Sequence, residues 1–86
     1  LPDTSKPLAA AEREKLRRAV EALEQEIEAK ERAKAELAAR LNAPSVASDL
    51  ARLRELGESY RRVEEELAGL IRRWEEAQAH ELDAAN

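Results

Sequence analysis

Apolar residues recur at alternating intervals of three and four along the second half of the chain. This series comprises Leu53, Leu56, Tyr60, Val63, Leu67, Leu70, Trp74 and Ala77. Because this is the spacing of heptad a and d positions, it predicts a long amphipathic helix that packs against another helix. An upstream segment follows the same rule with Leu16, Val20, Leu23, Ile27, Lys30, Lys34, Leu37 and Leu41. The pattern therefore predicts two long helices, each with one stripe that faces the other.

Proline and small polar residues mark where these helices end. Pro44 follows Asn42 and cannot continue a helix, so we predict helices over about 9–42 and about 48–82, joined by a loop over 43–47. Ser48 is the predicted N-cap of the second helix, with Asp49 in its first turn, where a negative charge favours the helix dipole.

The two ends of the chain have a different composition from the helices. Residues 1–8 contain Pro2 and Pro7, and the chain starts with Leu1 rather than Met. We therefore expect residues 1–8 to be a linker from an upstream domain. Residues 83–86 are expected to be a frayed C-terminus.

A connection this short forces the helices to lie antiparallel if they pack together. With the turn centred near Ser45, the numbers of facing residues add to about 90, which pairs apolar residues along most of the seam. Lys30 then faces Tyr60 and Lys34 faces Leu56. Either the lysine stems pack in the seam, or the seam shifts locally and changes the supercoil. The predicted fold is all-α, an antiparallel coiled-coil hairpin of two long helices.

Composition excludes several classes of function. The 86 residues include no cysteine and a single histidine, His80, which is expected to be an exposed helix residue. Disulfides, thiolate metal sites and motifs that need two histidines are thereby excluded. No apolar run approaches the ~20 residues that cross a bilayer, so no membrane contact is expected. We expect no catalytic residue, no metal site and no cofactor in this chain, and hence no enzyme activity of its own.

The formal net charge of −4 hides an uneven distribution. On the predicted register, one basic cluster lies at the open end of the hairpin and another toward the turn, with an acidic band of glutamates between them. Basic clusters on a rod suit phosphate contacts, although an ordinary solvated surface is the competing interpretation. The first candidates are Arg17, Arg18, Arg72 and Arg73. The full candidate set for nucleic-acid binding is Arg13, Arg17, Arg18, Arg72, Arg73, Lys30, Lys34, Arg61 and Arg62.

The chain also resembles a known family over residues 10–82. Its first helix reads AVEALEQEIEAKERAKAELAARL, a loop with proline follows, and the second helix ends in Trp74-Glu75-Glu76 after leucines at 67 and 70. This arrangement is similar to the C-terminal coiled-coil domain of ABC-F type ATPases, with Uup-like members nearest. The family often has an aromatic residue shortly before the tryptophan, where Ile71 or Leu70 stands here, which leaves the subfamily open.

The resemblance implies a cytoplasmic parent protein with two ATP-binding cassettes, which bind ATP and Mg²⁺ outside this chain. It implies a role with DNA or ribosomes. We therefore expect an accessory domain that binds nucleic acid, DNA in the first place or ribosomal RNA, with low affinity when alone. Two alternatives stay open: a structural or protein-interaction arm that self-associates, and the tRNA-contacting C-terminal arm of a class I tRNA synthetase.

Overall fold

The computed structural model describes residues 5–85, and the side chains of residues 10–84, as three helices without a strand. Helix α1 spans Ser5–Leu41, α2 spans Pro44–Ala47 and α3 spans Leu50–Ala85. The two long helices lie antiparallel and contact each other along their length, and the Cα atoms extend over 73 × 14 × 14 Å. The predicted all-α hairpin is confirmed.

The seam between α1 and α3 holds the residues that the heptad pattern selects. Val20, Leu56 and Leu70 retain only 4–6% of their surface exposed, and the other members of both stripes are half-buried. Both aromatic side chains, Tyr60 and Trp74, lie on this seam. Burial of these apolar side chains against the opposing helix is the main favourable contribution to packing, since helices of this kind gain most of their stability from an apolar face.

Pro44 shapes the turn between the long helices. Ala43 is extended, with φ −70° and ψ 132°, because a proline disfavours the helical region for the residue before it. Pro44 itself occupies the first turn of α2, where its missing N–H breaks no hydrogen bond. The segment predicted as a loop over 43–47 therefore contains one helical turn, and α2 contacts both long helices.

The N-cap of α3 is Asp49 and not Ser48. Asp49 Oδ1 accepts a hydrogen bond of 3.1 Å from the backbone N–H of Arg52, the third residue of α3. This is the bond that an N-cap side chain makes to an otherwise unsatisfied amide. Ser48 instead ends α2, where it is the C-cap. The predicted start of α3 at about residue 48 is therefore two residues early.

The long helices also extend beyond the predicted ends. Helix α1 begins at Ser5 rather than at about residue 9, and it includes Pro7 in its first turn, a position that needs no intrahelical donor. Helix α3 continues to Ala85, past the predicted end at about residue 82. Residues 5–8 of the predicted linker therefore belong to α1, and residues 83–85 of the predicted frayed end belong to α3. Residues 1–4 and 86 lie outside the described residues, and the connection to an upstream domain stays a prediction.

The register of the two helices differs from the predicted one by nearly a heptad. Lys30 pairs with Glu66, Lys34 with Glu64, and Trp74 bonds to Glu24. The numbers in these pairs add to 96–98 rather than to the predicted 90 or so, a difference of about one heptad. Because a shift of one heptad restores the a/d pattern, the apolar seam survives while every facing pair changes. The first turns of α3 consequently extend past the end of α1.

Lys30 and Lys34 are half-buried at the seam between α1 and α3, where the heptad pattern places them. Their side chains are 35–37% exposed, and each ammonium group reaches a carboxylate on the opposite helix: Lys34 Nζ lies 3.6 Å from Glu64 Oε2, and Lys30 pairs with Glu66. Ala29 is exposed and Ala33 is half-buried beside lysines that are themselves half-buried, so the seam does not move from the lysines onto Ala29. Lys34, rather than Lys30, lies over the Tyr60 ring, with Nζ 5.6 Å from the ring centroid.

No helix within the described part of the chain is long and apolar enough to span a bilayer.

Candidate nucleic-acid interface

Arg17 and Arg18 are bound by carboxylates of their own helix. Arg17 Nη2 lies 2.6 Å from Glu14 Oε1, Arg17 Nη1 lies 2.6 Å from Glu21 Oε1, and Arg18 Nε lies 3.1 Å from Glu14 Oε1. Hydrogen bonds from Arg17 and Arg18 lower the pKa of Glu14 from 4.5 to about 2. Glu14 in turn raises the pKa of Arg17. Contact of Arg17 with a phosphate would have to displace or share these carboxylates, whereas Arg18, bound through Nε alone, would have to share Glu14.

The structure separates the arginines that the predicted register brings together at the open end. Arg13 and Arg17 line a shallow groove with Glu81, whereas Arg72 and Arg73 line another groove beside Glu26. This separation follows from the heptad difference in register, which displaces α3 along α1 by roughly 10 Å at 1.5 Å per residue. The expected cluster of five arginines is therefore not assembled.

The basic group predicted near the turn comprises six residues, of which the three on α1 are paired and the three on α3, Arg54, Arg61 and Arg62, are not paired among the described side chains. Lys30 and Lys34 bind Glu66 and Glu64, and Arg32 Nη1 lies 3.1 Å from Glu28 Oε1. The predicted acidic band is also corrected, because Glu64 and Glu66 face these lysines rather than the glutamates of α1. Opposite charges meet across the seam where the sequence-based register placed like charges.

Six arginines have no carboxylate oxygen within 4.0 Å among the described side chains. All six are exposed, and they are Arg13, Arg54, Arg61, Arg62, Arg72 and Arg73. Five of them belong to α3, and we call these five the α3 arginine row. At 3.6 residues per turn, three of the row (54, 61 and 72) lie in nearly one direction and two (62 and 73) about a quarter turn away.

The α3 arginine row extends roughly 28 Å along the helix, at 1.5 Å per residue from its first to its last member. Glu58 and Glu65 alternate with it on the outward face, which limits its local positive potential. At its C-terminal end, Arg72 and Arg73 border a groove of about 680 Å³, which is also lined by Gly69 and by the carboxylates of Glu26, Glu66 and Glu76. Guanidinium groups in such positions are suited to bidentate contacts with phosphate oxygens.

No catalytic chemistry is evident in the described residues. His80 is exposed on α3, as expected. Within residues 10–84 no three histidine, aspartate or glutamate side chains are grouped closely enough to hold a metal ion.

Two features of the surface were not predicted from the sequence. One is the hydrogen bond of 3.2 Å from Trp74 Nε1 to Glu24 Oε2. The other is a groove beside it that carries carboxylates of α1 and the exposed side chain of Ile71. The glutamates at positions 24, 28 and 31 recur at helical spacing next to the seam, and this spacing was the available signal.

Comparison with known proteins identifies the family. The family described as "ABC transporter C-terminal domain" matches residues 11–79, about four fifths of the chain. No curated protein and no solved structure matches the chain. The match covers both long helices and the turn, and it confirms the family resemblance drawn from the two helices, the proline loop and the Trp74-Glu75-Glu76 ending. The chain belongs to the ABC transporter C-terminal domain family and is an accessory domain of an ABC protein.

Proposed function

We propose that this accessory domain binds duplex DNA through the α3 arginine row and so helps its parent ABC protein to engage nucleic acid. The observation that carries the proposal is the row itself, five exposed arginines on one helix without a carboxylate within 4.0 Å among the described side chains. Family membership supports it, because the sequence resembles the DNA-associated hairpins of ABC-F proteins.

The difference between paired and free arginines explains which candidates we favour. An arginine that already binds one or two carboxylates must lose those contacts, or share them, before it binds a phosphate. Arg17 and Arg18 are in this position, whereas Arg61, Arg62 and Arg72 are not. Binding through the free arginines replaces only water and counterions, whose release favours the complex.

The net charge of −4 sets the expected strength of binding. Carboxylates outside the row repel the DNA, so the domain alone binds with low affinity and with strong dependence on salt. The parent protein would raise the effective concentration of the domain at its DNA site. We assign ATP and Mg²⁺ to cassettes of that parent, and we place the parent in the cytoplasm.

Two variants that change the net charge by the same amount test this proposal. In one, Arg61, Arg62, Arg72 and Arg73 are changed to alanine; in the matched control, the ion-paired Arg17, Arg18, Arg32 and Arg40 are changed to alanine. Binding of the 86-residue chain to a fluorescent 20-base-pair duplex is measured across a salt series. Circular dichroism verifies that both variants remain helical.

We expect the first variant to lose most of its affinity and the control to lose much less. Each phosphate contact contributes about 0.9 to the slope of log K against log salt, so loss of four contacts should lower that slope by about 3 to 4. Equal loss in both variants would show that only the net charge matters. Absence of DNA binding by the unmodified chain would favour the structural or protein-interaction arm. A parallel duplex RNA distinguishes DNA from the ribosomal RNA alternative.

A further inference from the structure

A second groove between the two long helices lies on the opposite side of the seam from the groove beside Arg72 and Arg73, and no basic side chain of the described residues lines it. It has a volume of about 380 Å³ and is lined by Glu24, Ile27, Glu28, Glu31, Ile71 and Trp74. Ile71 is 36% exposed, which makes it one of the few large apolar side chains open to solvent in the described residues. Three apolar side chains and three carboxylates therefore line one concave surface.

The carboxylates form a regular stripe along α1. Positions 24, 28 and 31 follow helical spacing, so the three side chains lie on one face over roughly 10 Å. Glu28 binds Arg32 at the exposed surface, and Glu24 accepts the Trp74 indole hydrogen bond. Glu31 has no cation within 4.0 Å among the described side chains. No basic side chain lines the groove, in contrast to the groove beside Arg72 and Arg73.

We propose that this groove binds a cationic amphipathic helix of a partner protein. One apolar side chain of that helix would pack on Ile71 and Trp74, and lysines or arginines spaced at i, i+4 and i+7 would lie along the stripe of Glu24, Glu28 and Glu31. This is the helix-in-groove mode of recognition, in which apolar anchors supply affinity and charge complementarity selects the partner. The groove volume accommodates an anchor of the size of leucine or larger.

Charge complementarity argues for this occupant over two others. Nucleic acid is repelled by the carboxylate stripe, so the groove is separate from the proposed DNA interface. The two most exposed apolar side chains that a second copy of this chain would offer, Leu50 and Leu82, each adjoin an aspartate that the stripe repels, and its Ile71 lies inside its own copy of the groove. A helix with a basic polar face satisfies both the apolar and the charged parts of the surface.

Trp74 provides the measurement, because it is the only tryptophan of the chain. Its emission is recorded as the 86-residue chain is titrated with a tryptophan-free 18-residue peptide of leucine and lysine in heptad spacing. A second peptide carries glutamate in place of every lysine. We expect a saturable blue shift with the lysine peptide, weakened by salt, and no shift with the glutamate peptide.

A matched pair of variants locates the site. Changing Glu24, Glu28 and Glu31 to glutamine should weaken peptide binding roughly threefold to tenfold, the combined effect of two to three exposed ion pairs, since Glu28 also pairs with Arg32. Changing Glu26, Glu58 and Glu65 to glutamine alters the net charge equally outside the groove and should change the Kd less than twofold. Ile71→Ser should also weaken peptide binding and leave DNA binding unaltered, which separates this proposal from the proposed function.

Three results would overturn the proposal. These are equal weakening by the two glutamine variants, equal binding of the lysine and glutamate peptides, and a shift of Trp74 emission with protein concentration in the absence of peptide. The last result would assign the groove to a second copy of the chain.

Discussion

The indole Nε1 of Trp74 donates a hydrogen bond of 3.2 Å to Glu24 Oε2 on the opposite helix. Trp74 is half-buried on the seam, where an indole N–H generally needs a partner. Glu24 lies on α1 fifty residues earlier in the chain, so the bond joins the two helices at one relative position. The bond is therefore a direct marker of the register of the two helices. Trp74 also belongs to the Trp74-Glu75-Glu76 sequence that supports the family resemblance.

The coupling between Trp74 and Glu24 can be measured. In a double-mutant cycle with Trp74→Phe and Glu24→Ala, we expect an interaction free energy of about 0.5–1.5 kcal/mol, the usual net contribution of one hydrogen bond. Urea unfolding followed by circular dichroism supplies the free energies of unfolding. The control cycle combines Trp74→Phe with Glu26→Ala, and its coupling should be close to zero. Equal coupling in both cycles would show that the hydrogen bond does not stabilise the hairpin.

Two adjacent polar residues, Ser48 and Asp49, differ in their contribution to the N-terminus of α3, because only Asp49 caps it. Asp49→Ala should lower the free energy of unfolding by about 1 kcal/mol, because the backbone N–H of Arg52 loses its acceptor. Ser48→Ala should change it by less than about 0.5 kcal/mol, because Ser48 makes no such bond to α3. Urea unfolding of the two variants gives both values. A larger loss for Ser48→Ala than for Asp49→Ala would contradict the assignment of the cap.

The seam was predictable because apolar residues recur with an average period of 3.5 along both helical segments of the sequence. Every residue of the two stripes is buried or half-buried, including Lys30 and Lys34. The caps were less predictable, because Ser48 and Asp49 are both good N-cap residues and only the path of the turn after Pro44 distinguishes them. That path depends on the helical turn α2, which no periodicity indicates.

The register was mispredicted because apolar residues alone do not determine it. When one helix is moved along the other by one heptad, its a and d positions again face the a and d positions of the partner. Both registers therefore pair apolar residues with apolar residues. The predicted register brought Glu24 and Glu26 opposite Glu66 and Glu64, which is unfavourable for like charges. In the structure Glu66 and Glu64 face the two seam lysines instead. Charge complementarity across the seam was the available signal. The expected grouping of arginines at the open end depended on the same register and changes with it.

The two glycines of α3 are expected to lower the stability of the hairpin without a packing role. A Cβ at Gly57 would meet nothing within 4 Å, and one at Gly69 would meet only Arg72 Nη2 at 4.0 Å. Gly57→Ala should therefore raise the free energy of unfolding by about 1 kcal/mol, the difference in helix propensity. Ala68→Gly, at an exposed position in the interior of the same helix, is the reciprocal control and should lower it by about as much. Destabilisation by Gly57→Ala would reveal a close approach of another surface.

Glu14 should make the N-terminal half of α1 sensitive to acid. Its pKa of about 2 in the folded state lies below the ordinary value of 4.5, because it accepts hydrogen bonds from Arg17 and Arg18. The unfolded chain therefore binds the proton first as the pH falls. The stabilising contribution of Glu14 is complete above pH 4.5 and is lost as the pH falls toward 2. NMR titration of the Glu14 carboxyl carbon measures this pKa, and Arg17→Ala with Arg18→Ala should return it toward 4.5.

The seam lysines should specify register at a cost in stability. Changing Lys30 and Lys34 to leucine buries more apolar surface and removes two exposed ion pairs. Since burial contributes more than such pairs, the free energy of unfolding should rise by about 1 kcal/mol or more. Lys15→Leu, at an exposed position outside the seam, should change it little.

The leucine variant should also lose the preference for one register. The chain has no cysteine, so Ala19→Cys and Ala79→Cys, both at exposed positions, place two spin labels uniquely. The chain with both lysines should give one distance between the labels. The variant should give a second population, in which the labels are displaced along the helix axis by roughly 10 Å, the length of one heptad. A single, unchanged distance would show that contacts other than these lysines, such as the Trp74–Glu24 hydrogen bond, are sufficient to select the register.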